Sequence, residues 1–174
     1  MKGWALPLCA AAVLSACASV PPAPGEAAWT SGRLSLRVDA SGAQPAQSTS
    51  VAFELRGDGD SGELRLNSPL GTRVASARWA PGLALLATSD GEQRYDDLAA
   101  LSRQALGQEL PLAALPDWLL GRPWPAAPHS SSDGGFEQLG WQVSLARRGE
   151  GWIEARRAAP PAMLVRVKLD EAER

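Results

Sequence analysis

What this chain of 174 residues has little of narrows its chemistry before any motif is considered. It holds one histidine, His129, and two cysteines, Cys9 and Cys17, both close to the N-terminus. A body without thiols forms no disulfide and offers neither a cysteine nucleophile nor a cysteine-ligated metal, and a lone histidine leaves little for a transition-metal site. Formal charge is only −2 and no basic tract occurs, so nucleic acid is not an expected partner. No apolar run reaches the about 20 residues of a membrane-spanning helix. Internal repeats are absent, and nothing implies a cofactor.

Motif-like stretches fail on their context. Gly57-x-Gly59-x-x-Gly62 spells a dinucleotide fingerprint, but it joins two strands, and Asp58 and Asp60 would repel a pyrophosphate. The same stretch resembles the start of a calcium loop, yet Pro69 occupies the closing Glu position. His129 stands beside Ser130, Ser131, Ser132 and Asp133, but triad members converge from separate elements, so a solvated loop is expected. Asp96-Asp97 reads as a helix start, where the macrodipole favours acids. No enzyme is indicated.

The N-terminus carries positive information. Lys2 precedes an apolar stretch at residues 4–13, and Leu14-Ser15-Ala16-Cys17 closes it. A positive start, a short apolar centre and small residues at the end form a secretory signal. A cysteine directly after them resembles the bacterial lipobox, in which the thiol receives diacylglycerol. Residues 1–16 are therefore expected to be a lipoprotein signal peptide and Cys17 the lipid attachment site. Ala18 is not the Asp with which such lipoproteins are held at the inner membrane. The expected address is the outer membrane, lipid-anchored and facing the periplasm. Residues 17–28, with Pro21, Pro22 and Pro24, read as a tether reaching roughly 30 Å at about 3.1 Å per residue. Residues 29–174 are expected to form a single domain.

In that body, alternation of period two dominates. Leu34, Leu36 and Val38 share one face of a first strand, and Val51, Phe53 and Leu55 one face of a second. Leu64 and Leu66 follow the turn at residues 57–62, and Pro81-Gly82 splits residues 74–79 from 83–88. Residues 141–146, 152–156 and 164–169 complete the set. Helical spacing appears twice, in Leu98, Leu101 and Ala105 before Gly107, and in Leu112, Leu115 and Leu119 before Gly121 and Pro123. The class is mainly β with a few helices, an antiparallel sandwich or barrel whose central helices either plug the core or cover one mouth. Ser68-Pro69-Leu70-Gly71 fits a type I turn with Leu70 at its third position, directed outward or folded back on the sheet.

Four stretches in order resemble the LolB family of outer-membrane lipoprotein receptors. They are Trp29-x-x-Gly32-Arg33; Gly62-x-Leu64-x-Leu66-x-Ser68-Pro69-Leu70-Gly71; Leu106-Gly107 followed by Leu110-Pro111-Leu112; and Trp118-Leu119-x-Gly121-x-Pro123. The resemblance implies an open, incomplete antiparallel β-barrel with a helical lid over an apolar cavity, like that of the periplasmic carrier LolA. It implies ATP-independent acceptance of acylated lipoproteins from that carrier and their insertion into the inner leaflet of the outer membrane. Pro69, Leu70 and Gly71 match the family's membrane-delivery loop. Candidates for the acyl cavity are Leu34, Leu36, Val51, Phe53, Leu55, Leu64, Leu66, Trp79, Trp118, Leu119 and Trp141. Expected partners are LolA, acylated lipoprotein cargo and outer-membrane lipid, with the receptor a monomer. Family members commonly carry a helix between tether and first strand, for which little chain is left here between Trp29 and Gly32. The competing reading is a structural lipoprotein supporting another envelope assembly, with a filled core and no acyl binding. An enzyme on lipid or glycan would need a polar cleft, and none is evident.

Overall fold

Alternating apolar residues become strand over most of the chain, and each strand pairs antiparallel with its neighbours. A computed structural model describes residues 28–42 and 45–171. Six strands come first: β1 (Thr30–Val38), β2 (Gln47–Gly57), β3 (Gly62–Asn67), β4 (Arg73–Ala80), β5 (Leu83–Thr88) and β6 (Gly91–Tyr95). Helix α1 (Leu98–Leu106), a 3-10 turn (Leu112–Ala114) and α2 (Leu115–Leu119) interrupt them. Five more follow: β7 (His129–Ser132), β8 (Gly135–Gln138), β9 (Trp141–Ser144), β10 (Trp152–Arg157) and β11 (Met163–Leu169).

All eleven strands form one sheet, in the order β6-β5-β4-β3-β2-β1-β11-β10-β9-β8-β7. The first and last strands therefore meet at its centre, pairing from Gly32 with Leu169 to Val38 with Met163. Strands β6 and β7 are the two edges and do not pair with each other. The helical segment runs between them, so the barrel is open and its interior is roofed by α1 and α2.

Antiparallel order sorts the connections onto two ends. One end carries the turns at residues 68–72, 139–140 and 158–162, together with the β1–β2 and β5–β6 connections. The opposite end carries the turns at residues 58–61, 81–82, 133–134 and 145–151, and there β1 begins. That second end is closed by large side chains lying over glycines. A Cβ on Gly62 would come within 2.5 Å of Trp79 Cζ2, and one on Gly32 within 3.0 Å of Phe53 Cε1. Trp79 Nε1 also donates to the Asp58 carbonyl at 3.0 Å, tying its ring to the β2–β3 turn. The turn itself is polar and local, Asp58 Oδ1 accepting from the N–H of Asp60 and Ser61 at 2.9 and 2.8 Å.

Outside the sheet, Trp29 lies over the guanidinium groups of Arg56 and Arg65, with 4.6 and 4.1 Å from each carbon to the ring centroid. Both arginines bind Glu63, at 2.8 and 2.7 Å. This stack lashes the start of β1 to β2 and β3 and gives the Trp29-x-x-Gly32-Arg33 stretch a structural role.

Two expectations are corrected, and one strand that the pattern did not show is added. His129–Ser132 is an edge strand, not a solvated loop, because Asp133-Gly134 turns it back onto β8. Strand β6 is exposed except at Tyr95 and lacks apolar alternation, which hid it from the sequence pattern. Residues 112–120 are not one continuous helix, since Pro116 in the first turn of α2 follows a separate 3-10 turn.

Gly62→Ala is expected to destabilise the fold by about 1–3 kcal/mol, because the new methyl meets both the Arg56 carbonyl oxygen and the Trp79 indole, each 2.5 Å away. A urea midpoint equal to that of the wild type would show that the Trp79 packing is slack. Burial pushes the Glu63 pKa up, but hydrogen bonds and charge from Arg65 and Arg56 outweigh it and hold the carboxyl below its ordinary 4.5. A lowered folded pKa contributes stability above the unfolded value, which is lost as pH falls through the folded one. The stability difference between wild type and Glu63→Gln should therefore be largest near neutrality and shrink on acidification. A gap independent of pH would contradict it.

Candidate functional site

Beneath the helices lies a cavity of about 330 Å³, at the small end for ligand sites, with walls that are almost wholly apolar. The sheet contributes Leu34 and Leu36 from β1, Val51 from β2, Leu64 and Leu66 from β3, and further side chains from β4, β5 and β9 to β11. Helix α1 contributes Leu101 and Ala105, and the following segment Leu110, Pro111, Leu112, Leu115, Trp118 and Leu119. Among the described residues, no charged side chain lines it. Thr49, Thr88 and Ala105, all exposed, lie at its edge, so it reaches solvent toward the end that carries residues 68–72.

Of the cavity candidates, Leu34, Leu36, Val51, Leu64, Leu66, Trp118, Leu119 and Trp141 border this space. Phe53, Leu55 and Trp79 do not; they are 1%, 3% and 8% exposed and pack the interior toward the closed end. They share the inward face with the others, so alternation alone does not separate wall from plug.

The roof is held by polar contacts that the sequence pattern did not reveal. Gln138 is buried, and its amide is fully used. Its Oε1 accepts from Trp118 Nε1 and from the Trp124 N–H, both at 2.9 Å. Its Nε2 donates to the carbonyls of Trp124 and Ala127, at 2.7 and 2.8 Å. Trp118 thereby stands against Phe136 and Trp141, each with ring centroids 6.3 Å away. Asp97 caps α1, accepting from the Ala100 N–H at 2.6 Å. Buried Ser102 accepts from the Leu110 N–H at 3.2 Å, drawing the segment after α1 back onto it. Asp117, also buried, binds Arg122 Nε at 2.7 Å. The one legible signal was Gln138 itself, a polar residue in phase with inward-facing Phe136.

At the mouth, residues 68–72 fold as a tight turn. The Gly71 N–H donates to the Ser68 carbonyl at 2.9 Å and the Ser68 N–H to the Thr72 carbonyl at 2.7 Å. Gly71 has φ +82°, a conformation that glycine adopts without strain. Leu70 is 93% exposed, projecting from the turn and not folded back on the sheet. Pro69 and Gly71 are exposed beside it. The signal peptide and residues 17–27 of the tether, Cys17 included, lie outside the described residues, while Trp29, where a preceding helix would have to fit, leads directly into β1. Among the described residues no cluster of His, Cys, Asp or Glu is placed to hold a metal ion.

Residues 28–169 match the protein-family model described as Outer membrane lipoprotein LolB. The chain belongs to the LolB family. A relative named Outer-membrane lipoprotein LolB from Bordetella petrii is 37% identical over 95% of this chain and 89% of its own length. Its namesake from Thiobacillus denitrificans is 33% identical over 78% of each chain. That from Chromobacterium violaceum is 36% identical over 67% of this chain and 62% of its own. The protein is thus an outer-membrane lipoprotein receptor of lipoprotein localization, built on the LolB open barrel.

Gln138→Leu is expected to cost about 2–4 kcal/mol, since the indole N–H and three backbone groups lose their partners without access to water. Chemical denaturation followed by tryptophan emission measures it. Stability within about 0.5 kcal/mol of wild type would show that water replaces the amide.

Proposed function

We propose that this receptor accepts the acyl chains of lipoproteins delivered by the carrier LolA into the cavity under α1 and α2, and that the Leu70 loop then guides them into the inner leaflet of the outer membrane. The observation that carries this reading is the juxtaposition of an uncharged apolar cavity with a fully projecting leucine at its open end. Leu34, Leu36, Val51, Leu64, Leu66, Trp118, Leu119 and Trp141 are the side chains that would touch the chains. Cys17, acylated after removal of residues 1–16, anchors the receptor, and residues 17–28 tether it. No catalytic group is involved.

The energetics suit a relay. Three acyl chains of about 15 methylenes each, at about 0.8 kcal/mol per methylene, place on the order of 35 kcal/mol of apolar burial at stake. Such a molecule does not cross water unaided. A wall without charges holds hydrocarbon without competing polar interactions, and a cavity narrower than a bilayer holds it less well than lipid does. Cargo then moves downhill from carrier to receptor to membrane, with no nucleotide required.

Leu64→Glu places a carboxylate in the wall and should reduce transfer of cargo from loaded LolA at least tenfold, as read by co-purification. Thr49→Glu, at the exposed edge of the same wall, serves if Leu64→Glu does not fold. Leu70→Glu should leave acceptance unchanged and impair delivery of bound cargo to vesicles. Cargo that stays on the carrier in the presence of folded wild-type receptor would sink the reading, and equal loss of both steps in Leu70→Glu would remove the division of labour.

A further inference from the structure

We infer that Leu139 is a second bilayer-contacting residue, and that the end of the barrel bearing Leu70 and Leu139 is the face that rests on phospholipid. The inference builds on the delivery role proposed for Leu70. It starts from a local rule that is broken. The β8–β9 turn has φ +55° at Leu139 and +76° at Gly140, the left-handed pair of a type I′ hairpin. Asn-Gly is the natural occupant of such a turn, and a leucine at its first central position is strained. Burial does not offset that strain, since Leu139 is 47% exposed. A strained apolar residue at an open turn is a candidate for contact with something outside the molecule.

Its position identifies the contact. Trp141 follows the turn, and over its ring lies the guanidinium of Arg157 at the end of β10, which pairs with Met163 opposite Val38. The Leu139 turn is therefore on the same end as the Leu70 turn, on the other side of the central β1–β11 ladder. Between them on that end, residues 158–160 form an exposed Ala-Ala-Pro turn without charge. In the turns at this end the described charges are Asp39, paired with Arg37 at 3.0 Å, and Asp90; Arg73 follows the Leu70 turn, and Glu137 and Arg156 lie on the strand ends beside Leu139. The opposite end instead exposes Asp58, Asp60, Asp133, Arg147, Arg148 and Glu150 at its turns. The turns, though not the strand ends, are thus chemically polarised along the axis of the barrel. Separated convex tips, one leucine each, do not make the contiguous patch of about 800 Å² that a stable protein partner needs. A fluid hydrocarbon interface accepts them singly.

The test uses the mature lipoprotein reconstituted in vesicles of phosphatidylethanolamine with a minor fraction of phosphatidylglycerol. Leu139→Cys, Leu70→Cys and Asp133→Cys each carry a nitrobenzoxadiazole label, and quenching by spin-labelled phospholipid is read in the absence of carrier. Labels at 139 and 70 should be quenched several-fold more than the label at 133. Quenching at 139 no greater than at 133 overturns the inference; if the label at 70 is still quenched, the delivery reading stands, and if it is not, both fall. Leu139→Asn provides the second measurement, since asparagine suits the turn and removes the apolar side chain. It should retain stability and cargo acceptance while slowing delivery to vesicles about fivefold, as expected for part of a leucine withdrawn from lipid. Unchanged delivery overturns the inference equally.

Discussion

The ladder between β1 and β11 joins the two halves of the sheet, and the site depends on it. It sets the chain's first and last strands side by side, so the remaining strands spread outward to edges that never meet. A curled sheet left open cannot fill its concave face with its own side chains as a small closed barrel does. The chain between the edges must cover that face, and it does so with short helices lacking the regular packing of a longer pair. The cavity is the space left where this roof and the large residues of the closed end fail to meet.

Most of the frame is legible in the sequence alone. Alternation at Leu34 to Val38, Val51 to Leu55 and Val165 to Leu169 marks strands whose inner face is buried, and the glycine and proline turns separate them. What alternation could not reveal was how far along a strand the filled interior ends. Phe53 and Val51 are two residues apart on the same face, yet one fills the space over Gly32 and the other borders the cavity. That difference is set by which neighbours are glycine across the sheet, a matter of register and not of composition. Edge strands were illegible for a related reason: β6 and β7 bury so little that selection for apolar residues hardly touches them.

Polar residues explain the rest of the roof. Gln138 spends its whole hydrogen-bonding capacity on Trp118, Trp124 and Ala127, so one amide sets the height of an indole against the cavity. Arg157 is less well served. Its Nη2 donates to the Pro161 carbonyl at 3.2 Å and, at 3.4 Å, to Gln108 in the segment after α1, while its Nε is buried with no partner among the described residues. A roof secured by side chains at one edge and by weaker contacts at the other is easier to lift on the second side.

The point at which β1 begins has a further consequence for posture. Thr30 lies at the end of the barrel opposite Leu70, and the nine residues of β1 span about 30 Å. Twelve residues lie between Cys17, the proposed anchor, and Thr30, with a contour of about 40 Å at full extension. If both the anchor and the open end engage one leaflet, Thr30 stands nearly the whole height of the barrel away from it. The length of that stretch then works as a ruler: at full extension it just suffices for the molecule to stand with its mouth down on the membrane, whereas an overturned molecule, with Thr30 beside the leaflet, needs almost none of it.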